Sequence, residues 1–199
     1  ITLDNLTGSG TLAVSIASAT ANDFAGNSAP TASASDNITV DNTAPSGLAL
    51  TVAGDDAYAT AQAVSLTLSG SDNHSVTGYF LSESSTIPSL DNFTSVTAAD
   101  NYSTSLGFTL SSGDGAKTVY GWLRDTAGNI GGSASDNISL DTTAPTVSVG
   151  SPSDNHSNSG PVSYTVSYTG ADNVTLVADN VTVTATGTAA AGSKSVTGS

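Results

Sequence analysis

The chain has 199 residues, 37% of them hydrophobic, and 17 acidic residues against three Lys and Arg give it a net charge of -14. This apolar content is enough for one or two compact domains, which excludes a disordered chain, and the negative charge excludes nucleic acid and anionic lipid headgroups as partners. No apolar run is long enough to predict membrane insertion, and the absence of Cys excludes disulfides, thiol catalysis and thiolate metal sites.

The N-terminal segment, residues 1–45, is predicted to be the C-terminal half of a β-sandwich module. Leu12, Val14 and Ile16 alternate along one strand, and a closing strand follows at residues 38–40. Because the chain starts inside this module, we expect the true N-terminus, with any signal peptide, to lie upstream.

A complete module is predicted for residues 46–144. Short runs of alternating apolar residues are separated by Gly, Asn, Asp and Ser turns, and none has the 3.6-residue period of a helix. About seven strands in roughly 100 residues are typical of an immunoglobulin-like β-sandwich. The predicted strands lie at Leu48 to Val52, Val64 to Leu68, Tyr79 to Leu81, Phe108 to Leu110, Val119 to Leu123 and Ile138 to Leu140.

Residues 145–199 restart this pattern and are predicted to be the N-terminal half of the next module. Strands are expected at Val147 to Val149, at Val162 to Tyr168 and, as a pair, within Val174 to Val183. The predicted fold class is therefore all-β, with tandem immunoglobulin-like β-sandwiches.

Two short motifs recur at the module ends. Asp-x-Ala-Gly-Asn occupies residues 23–27 and 125–129, and Asp-x-Thr-Ala-Pro occupies residues 41–45 and 141–145. Asp caps a turn, Gly supplies a positive φ and Thr-Ala-Pro stiffens a linker. Together these motifs resemble bacterial immunoglobulin-like repeats, which occur in surface adhesins, biofilm proteins and secreted fibres. The resemblance implies a structural or adhesive function and, because some members bind calcium near their linkers, calcium at these positions.

A second pattern involves asparagine. Nine of the 14 Asn residues begin an Asn-x-Ser/Thr triplet, and all nine follow an Asp, whereas among the other five only Asn42 does. Ser and Thr fill 62 of the 199 positions, yet chance alone would give only about four triplets. The nine are Asn5, Asn37, Asn73, Asn92, Asn101, Asn137, Asn155, Asn173 and Asn180.

We interpret the nine triplets as N-glycosylation acceptors, in which the hydroxyl two residues on positions the Asn amide for transfer. Covalent N-glycans would place the protein outside the cell or on its surface. The alternative is that Asp-Asn forms Asx turns and that Ser or Thr simply follows in a strand. Several acceptors repeat between modules, such as Asn37 and Asn137, so glycans would recur along an array.

Calcium is the metal that the acidic residues favour, because this hard cation prefers carboxylate and carbonyl oxygens. The pair Asp55 and Asp56 is one candidate, although the sequence contains no EF-hand or glycine-rich nonapeptide pattern. The main candidates lie near the two linkers: Asp23, Asp41, Asp125 and Asp141.

Two further patterns allow a binding site. His74 and His156, each in Ser-Asp-Asn-His-Ser, could suggest a metal, but each is the variable residue of an Asn-x-Ser/Thr triplet, which favours an exposed loop. Trp122 beside Tyr120 predicts either a carbohydrate-stacking platform or cross-strand packing, with neighbouring apolar residues filling the core from the other face.

The sequence predicts an extracellular structural protein rather than an enzyme, because no nucleophile with its base, phosphate loop or catalytic carboxylate pair is identifiable. Residues 146–199 and 1–45 together contain 99 residues, the length of one module. We therefore expect copies to complete each other head to tail, within a continuous chain or by strand complementation, as a filament, surface layer or adhesin stalk.

The alternative is a calcium-stiffened adhesin that binds a host or surface ligand. A polysaccharide-degrading enzyme with these modules as spacers would need a catalytic domain elsewhere.

Overall fold

The structure is a computed structural model that describes residues 1–198, and it confirms the all-β class. The chain divides into two compact units, residues 1–142 and a second unit that begins at Thr143. The division falls within the Asp-x-Thr-Ala-Pro motif at residues 141–145. Across the described part of the chain, no helix has the length and apolar character needed to cross a membrane.

The first unit contains eight strands and the 3-10 helix Leu90–Asn92. The strands are β1 (Gly10–Leu12), β2 (Ile38–Val40), β3 (Ser46–Val52), β4 (Tyr58–Ala59), β5 (Ala63–Ser82), β6 (Thr94–Thr109), β7 (Gly115–Asp125) and β8 (Ala134–Leu140).

Six of these strands form one curled sheet, a half-barrel in the order β3-β5-β7-β8-β4, with β6 also paired to β5. All pairings are antiparallel except the short parallel contact between β4 and β8. Strands β1 and β2 pair with each other in a separate two-stranded sheet.

The curl is produced by a bend in the middle of β5. Its pairing with β6 changes register between Ser71 and Val76. Before the bend β5 pairs with β3, and after it β5 pairs with β7. We call residues 72–75 the arch, because here the β5-β6 ribbon folds the sheet over its own core.

The core lies inside this curl and consists of the alternating apolar residues of β3 to β8. Leu66 and Leu68 of β5 face Val119 and Leu123 of β7, and all four are at most 2% exposed. The other core members are Leu50, Val52, Ala59, Val76, Tyr102, Leu110, Ile138 and Leu140. Every residue of this core therefore lies between positions 50 and 140.

The second unit contains β9 (Thr146–Pro152) and β10 (Tyr164–Thr169), paired antiparallel, and the 3-10 helix Ala178–Asn180. The helix lies where the sequence predicts a strand pair within residues 174–183. At the other end of the chain, the strand predicted over residues 12–16 ends at Leu12, and Ile16 forms a single bridge to Ala32. A two-stranded ribbon is marginal without a sheet to cover its apolar face, which explains why these predicted strands are short or missing.

Large apolar side chains are exposed mainly in the two end segments. Seven of them lie in residues 1–45 and eight in residues 145–198, against three in residues 46–144. The end segments thus carry apolar strand residues, such as Val147 and Val149, without a described core to cover them.

Candidate functional site

The Asp-x-Ala-Gly-Asn motif forms a closed turn headed by its Asp. Asp125 accepts hydrogen bonds through Oδ1 from the backbone N–H groups of Gly128 at 2.7 Å and Asn129 at 2.8 Å, and through Oδ2 from the Asn129 side chain at 2.7 Å. Gly128 has a φ of +94°, which favours glycine. The turn at Asp23 repeats this arrangement with Asn27, and those hydrogen bonds lower the pKa of Asp23.

Three carboxylates meet beside this turn. Asp41 follows β2, Asp72 begins the arch and Asp125 ends β7, and each places one oxygen within 4.8 Å of the others. Asp41 and Asp72 are 8% exposed and Asp125 is 2% exposed. We call these three residues the Asp cluster.

The cluster is assembled by polar contacts between the segments that carry it. Asn129 donates its side-chain N–H to the Asp41 carbonyl at 3.0 Å, which fastens the linker to the turn. Thr126 donates its hydroxyl to the His74 carbonyl at 2.8 Å, which fastens the turn to the arch. A cavity of about 310 Å³ lined by Thr39, Asp41, His74, Thr126 and Ala127 lies beside these contacts.

Two oxygens of the cluster lack donors. Asp41 Oδ1 accepts from the Ser9 hydroxyl at 3.1 Å and from the Thr43 N–H at 3.0 Å, and Asp72 Oδ1 accepts from the His74 N–H at 2.8 Å. The second oxygens, Asp41 Oδ2 and Asp72 Oδ2, are buried without a hydrogen-bond partner among residues 1–198. His74 Nδ1 lies 3.4 Å from Asp41 Oδ2. Buried carboxylate oxygens without donors are unfavourable unless a cation or water satisfies them.

The Asp41 carboxyl is held in its ionised form. The Thr43 N–H is the main cause of a lowered pKa, partial burial opposes it, and the Ser9 hydroxyl and His74 lower it further. The cluster therefore holds at least one carboxylate at neutral pH, with oxygens spaced as the ligands of a single cation.

The four predicted calcium ligands are thus only partly brought together. Asp41 and Asp125 lie in the cluster, whereas Asp23 lies exposed in its own turn and Asp141 lies exposed at the end of β8. Asp72 precedes the triplet of Asn73, and no local pattern in the sequence marks it as a ligand. It follows Ser71, the last residue of β5 that pairs with β3.

All nine triplet Asn residues are exposed. Asn92 and Asn180 end the two 3-10 helices, and the side-chain oxygen of each accepts the N–H of the residue three before it, Ser89 or Val177, at 3.2 and 3.0 Å.

The Asp residues before these acceptors also have structural roles. Asp72 and Asp154 each accept the N–H of the His two residues on, which is an Asx turn. Asp136 accepts the Val52 N–H at 2.7 Å and so links β8 to β3. Turn formation therefore accounts for part of the Asp-Asn pattern, while the exposure of every acceptor is a separate property.

Trp122 is not a carbohydrate platform, because it is 1% exposed. It packs on the outer face of β7 against Phe80 and Tyr120, with ring centroids 5.9 and 6.0 Å apart. Val119 and Leu123 fill the core from the opposite face, as the packing interpretation predicts.

No protein-family model, curated protein or solved structure matches the chain. Functional inference therefore depends on the geometry of the Asp cluster, the acceptor Asn residues and the exposed strands.

Proposed function

We propose that this protein is an extracellular, N-glycosylated structural protein, a segment or subunit of a head-to-tail filament, surface layer or adhesin stalk. The observation that carries the proposal is that all nine Asn residues of the Asp-Asn-x-Ser/Thr units are exposed. A transferase needs an accessible amide nitrogen, and a glycan needs space in solvent. Glycans also keep soluble a chain in which only 10% of residues are charged.

Glycopeptide mapping of native material tests the proposal. Peptides that contain Asn37, Asn73 and Asn137 should carry glycan mass, whereas Asn42 and Asn129 should be unmodified. Asn129 is the internal control, because its amide nitrogen donates to Asp125 and to the Asp41 carbonyl. Unmodified masses at the three acceptors would disprove glycosylation.

Head-to-tail assembly is supported by the distribution of exposed apolar residues. The end segments carry exposed strand residues that, in residues 46–144, have equivalents inside the core: Tyr168 corresponds to the buried Leu68 of β5, and Ile38 corresponds to the buried Ile138. We propose that the second unit of one copy and residues 1–45 of the next form one immunoglobulin-like sandwich. Denaturing electrophoresis of native material separates the two versions: a single very large species indicates a continuous chain, and a subunit near 20 kDa before glycans indicates strand complementation.

A second candidate function, a calcium-stiffened adhesin, is favoured by the Asp cluster. Calcium binds oxygen at 2.3–2.6 Å, so any two ligands of one ion lie at most about 5 Å apart, and the three cluster oxygens, which lie within 4.8 Å of one another, could reach one ion. An ion there would satisfy the unpartnered oxygens of Asp41 and Asp72 and would cross-link the linker, the arch and the Asp125 turn.

Calorimetry in calcium and in chelator tests this candidate. An ion at 100 times its dissociation constant stabilises the folded state by about 2.7 kcal/mol, which for a unit of this size raises Tm by about 5–10 °C. An unchanged Tm would leave the cluster without a role as a calcium site.

A further inference from the structure

Strand β6 has one free edge. Within residues 1–142 it pairs with β5 alone. From Asn101 opposite Ser71 to Thr109 opposite Ala63 this pairing is continuous, without a change of register. The other edge of these nine residues has no neighbouring strand in this unit.

The alternation of an antiparallel ladder identifies the residues that face the free edge. The Leu110 N–H donates to the Gln62 carbonyl at 2.8 Å, on the same register as the rest of the pair. Every second residue therefore bonds to β5, and the residues between direct their N–H and C=O groups to the free edge. These free-edge residues are Asn101, Ser103, Ser105, Gly107 and Thr109.

The free edge lacks the protections that proteins normally place on such strands. Residues 101–109 contain no charged residue, no Pro and no bulge. Along its inner side lies a cavity of about 360 Å³, whose lining includes Tyr79, Val96 and Leu106. The Tyr102 hydroxyl, in the same lining, is buried without a hydrogen-bond partner in the described residues. An added strand would gain a full ladder of hydrogen bonds and a place for its inward side chains.

Asn101 is the one acceptor whose own backbone faces this edge. It is exposed, it begins the unprotected stretch, and it stands in Asp-Asn-Tyr-Ser. We propose that a glycan on Asn101 guards the free edge of β6, and that without it two copies of the chain pair edge to edge through residues 101–109. This inference rests on the proposed glycosylation. We expect the strand that pairs with this edge to come from a second copy of the chain. Two identical edges can pair antiparallel about a two-fold axis, so that each edge covers the other. The segment is also uncharged, so it adds no local repulsion between two chains that each have a net charge of -14.

The test uses the full chain produced in its native cells, as wild type and as Asn101→Gln. Hydrogen exchange of single amides and sedimentation velocity are measured over a range of concentrations. In Asn101→Gln, the amides of the free-edge residues should exchange about tenfold more slowly at high concentration than at low concentration, together with a rise in mass. Wild type should show fast exchange at these amides throughout. The even-numbered amides of residues 102–108 should stay protected in both proteins, which verifies the fold.

Matched Lys substitutions in the Asn101→Gln background locate the contact. Ser105→Lys places a charge on the free edge, whereas Thr67→Lys places the same charge on the paired, exposed position opposite it in β5. Ser105→Lys should restore fast exchange, and Thr67→Lys should not. Head-to-tail association would protect the end segments and would leave these amides unaffected.

Three results would overturn the inference. The first is fast exchange of the free-edge amides in Asn101→Gln at every concentration, and the second is association that Ser105→Lys leaves intact. Both would leave glycosylation itself standing. The third is an unmodified Asn101 in native wild type, which overturns this inference and, at this site, the proposed function as well.

Discussion

At the scale of single residues, the three members of the Asp cluster differ in how their oxygens are satisfied. Asp125 has both oxygens bonded within its own turn. Asp41 and Asp72 each retain one buried oxygen that lacks a donor in the described chain. In the proposed calcium site, the donor-free oxygens of Asp41 and Asp72 would be the ones that an ion satisfies, while Asp125 holds the turn beside them.

The effect of Asp72→Asn on the free energy of unfolding should change sign when calcium is added. In chelator, removal of a buried charge beside Asp41 should leave the free energy of unfolding unchanged or higher. In saturating calcium the variant should be less stable than wild type, because one charged ligand is lost. Chemical denaturation of unglycosylated protein under both conditions measures the two differences.

Asp55→Asn is the matched control, because Asp55 lies exposed in the turn after β3, outside the cluster. It should respond to calcium as wild type does. Equal calcium stabilisation of Asp72→Asn and Asp55→Asn would contradict the assignment of Asp72 as a ligand.

Protonation of Asp41 at low pH should reduce the free energy of unfolding. Its pKa is lowered in the folded state, mainly by the Thr43 N–H, so the folded protein binds this proton less readily than the unfolded chain. The resulting stability is present above the unfolded pKa of about 4 and is lost as pH falls through the folded value. Denaturation curves at pH 5 to 2 should fall less steeply for Asp41→Asn than for wild type, and parallel curves would refute this linkage.

At the scale of secondary-structure elements, the start of β3 and the approach to β8 pack at van der Waals distance. A Cβ added to Gly131 would lie 2.5 Å from the Pro45 carbonyl oxygen, a backbone atom that cannot move aside. Gly131 also donates its N–H to the Leu123 carbonyl at 2.9 Å, so this segment is fixed on both sides.

Gly131→Ala should therefore destabilise the first unit by about 1–3 kcal/mol, the usual cost of overpacking. Gly132→Ala is the control, because a Cβ there meets nothing within 4 Å. It should change the free energy of unfolding by less than about 0.5 kcal/mol. Similar values for the two variants would contradict the close packing at Pro45.

Alternating apolar residues were sufficient to predict β3, β7 and β8, whereas β6 was predicted only at its C-terminal end, residues 108–110. The residues predicted at positions 48–52, 119–123 and 138–140 all lie in β3, β7 and β8. The change of pairing within β5 was not predictable, since residues 71–75 are polar and fit a turn between two strands equally well. Asp72 lies in this stretch, so no alternating pattern groups it with Asp41 and Asp125, and the calcium ligands stay a prediction.

At the scale of the whole molecule, buried and exposed apolar residues are unevenly distributed along the chain. The core lies between residues 50 and 140, and most exposed large apolar side chains lie outside that range. The separate modules and their order stay predictions, which a protein of two linked copies can test.

Two copies joined end to start should form one additional sandwich at the junction. Val166 and Tyr168 of the first copy, the equivalents of the buried Leu66 and Leu68, would then be covered by residues 1–45 of the second, so their amides should exchange slowly. The same residues of the second copy have no following copy, so only the β9–β10 ladder protects their amides, which should exchange faster. Hydrogen exchange with segment-labelled protein measures the difference.

The same substitution in each copy supplies the control. Tyr168→Asp in the first copy should abolish the slow exchange and the added melting transition, whereas Tyr168→Asp in the second copy should change neither. Equal effects from both positions would mean that the junction forms no shared sandwich.

Strand β7 also sets the direction in which a pulling force crosses the first unit. The linker at Asp41 is held beside the Asp125 end of β7 through Asn129, and Thr142 is held beside the Gly115 end by its N–H bond of 2.9 Å to Asp114. Eleven residues separate these ends, about 35 Å of extended chain. In the proposed array, tension would therefore run along β7, and the antiparallel ladders that join β3 to β5 and β8 to β7 would lie crosswise to it. Bonds loaded in shear break together rather than one at a time, so each unit would act as a stiff link that resists extension until its ladders fail at once.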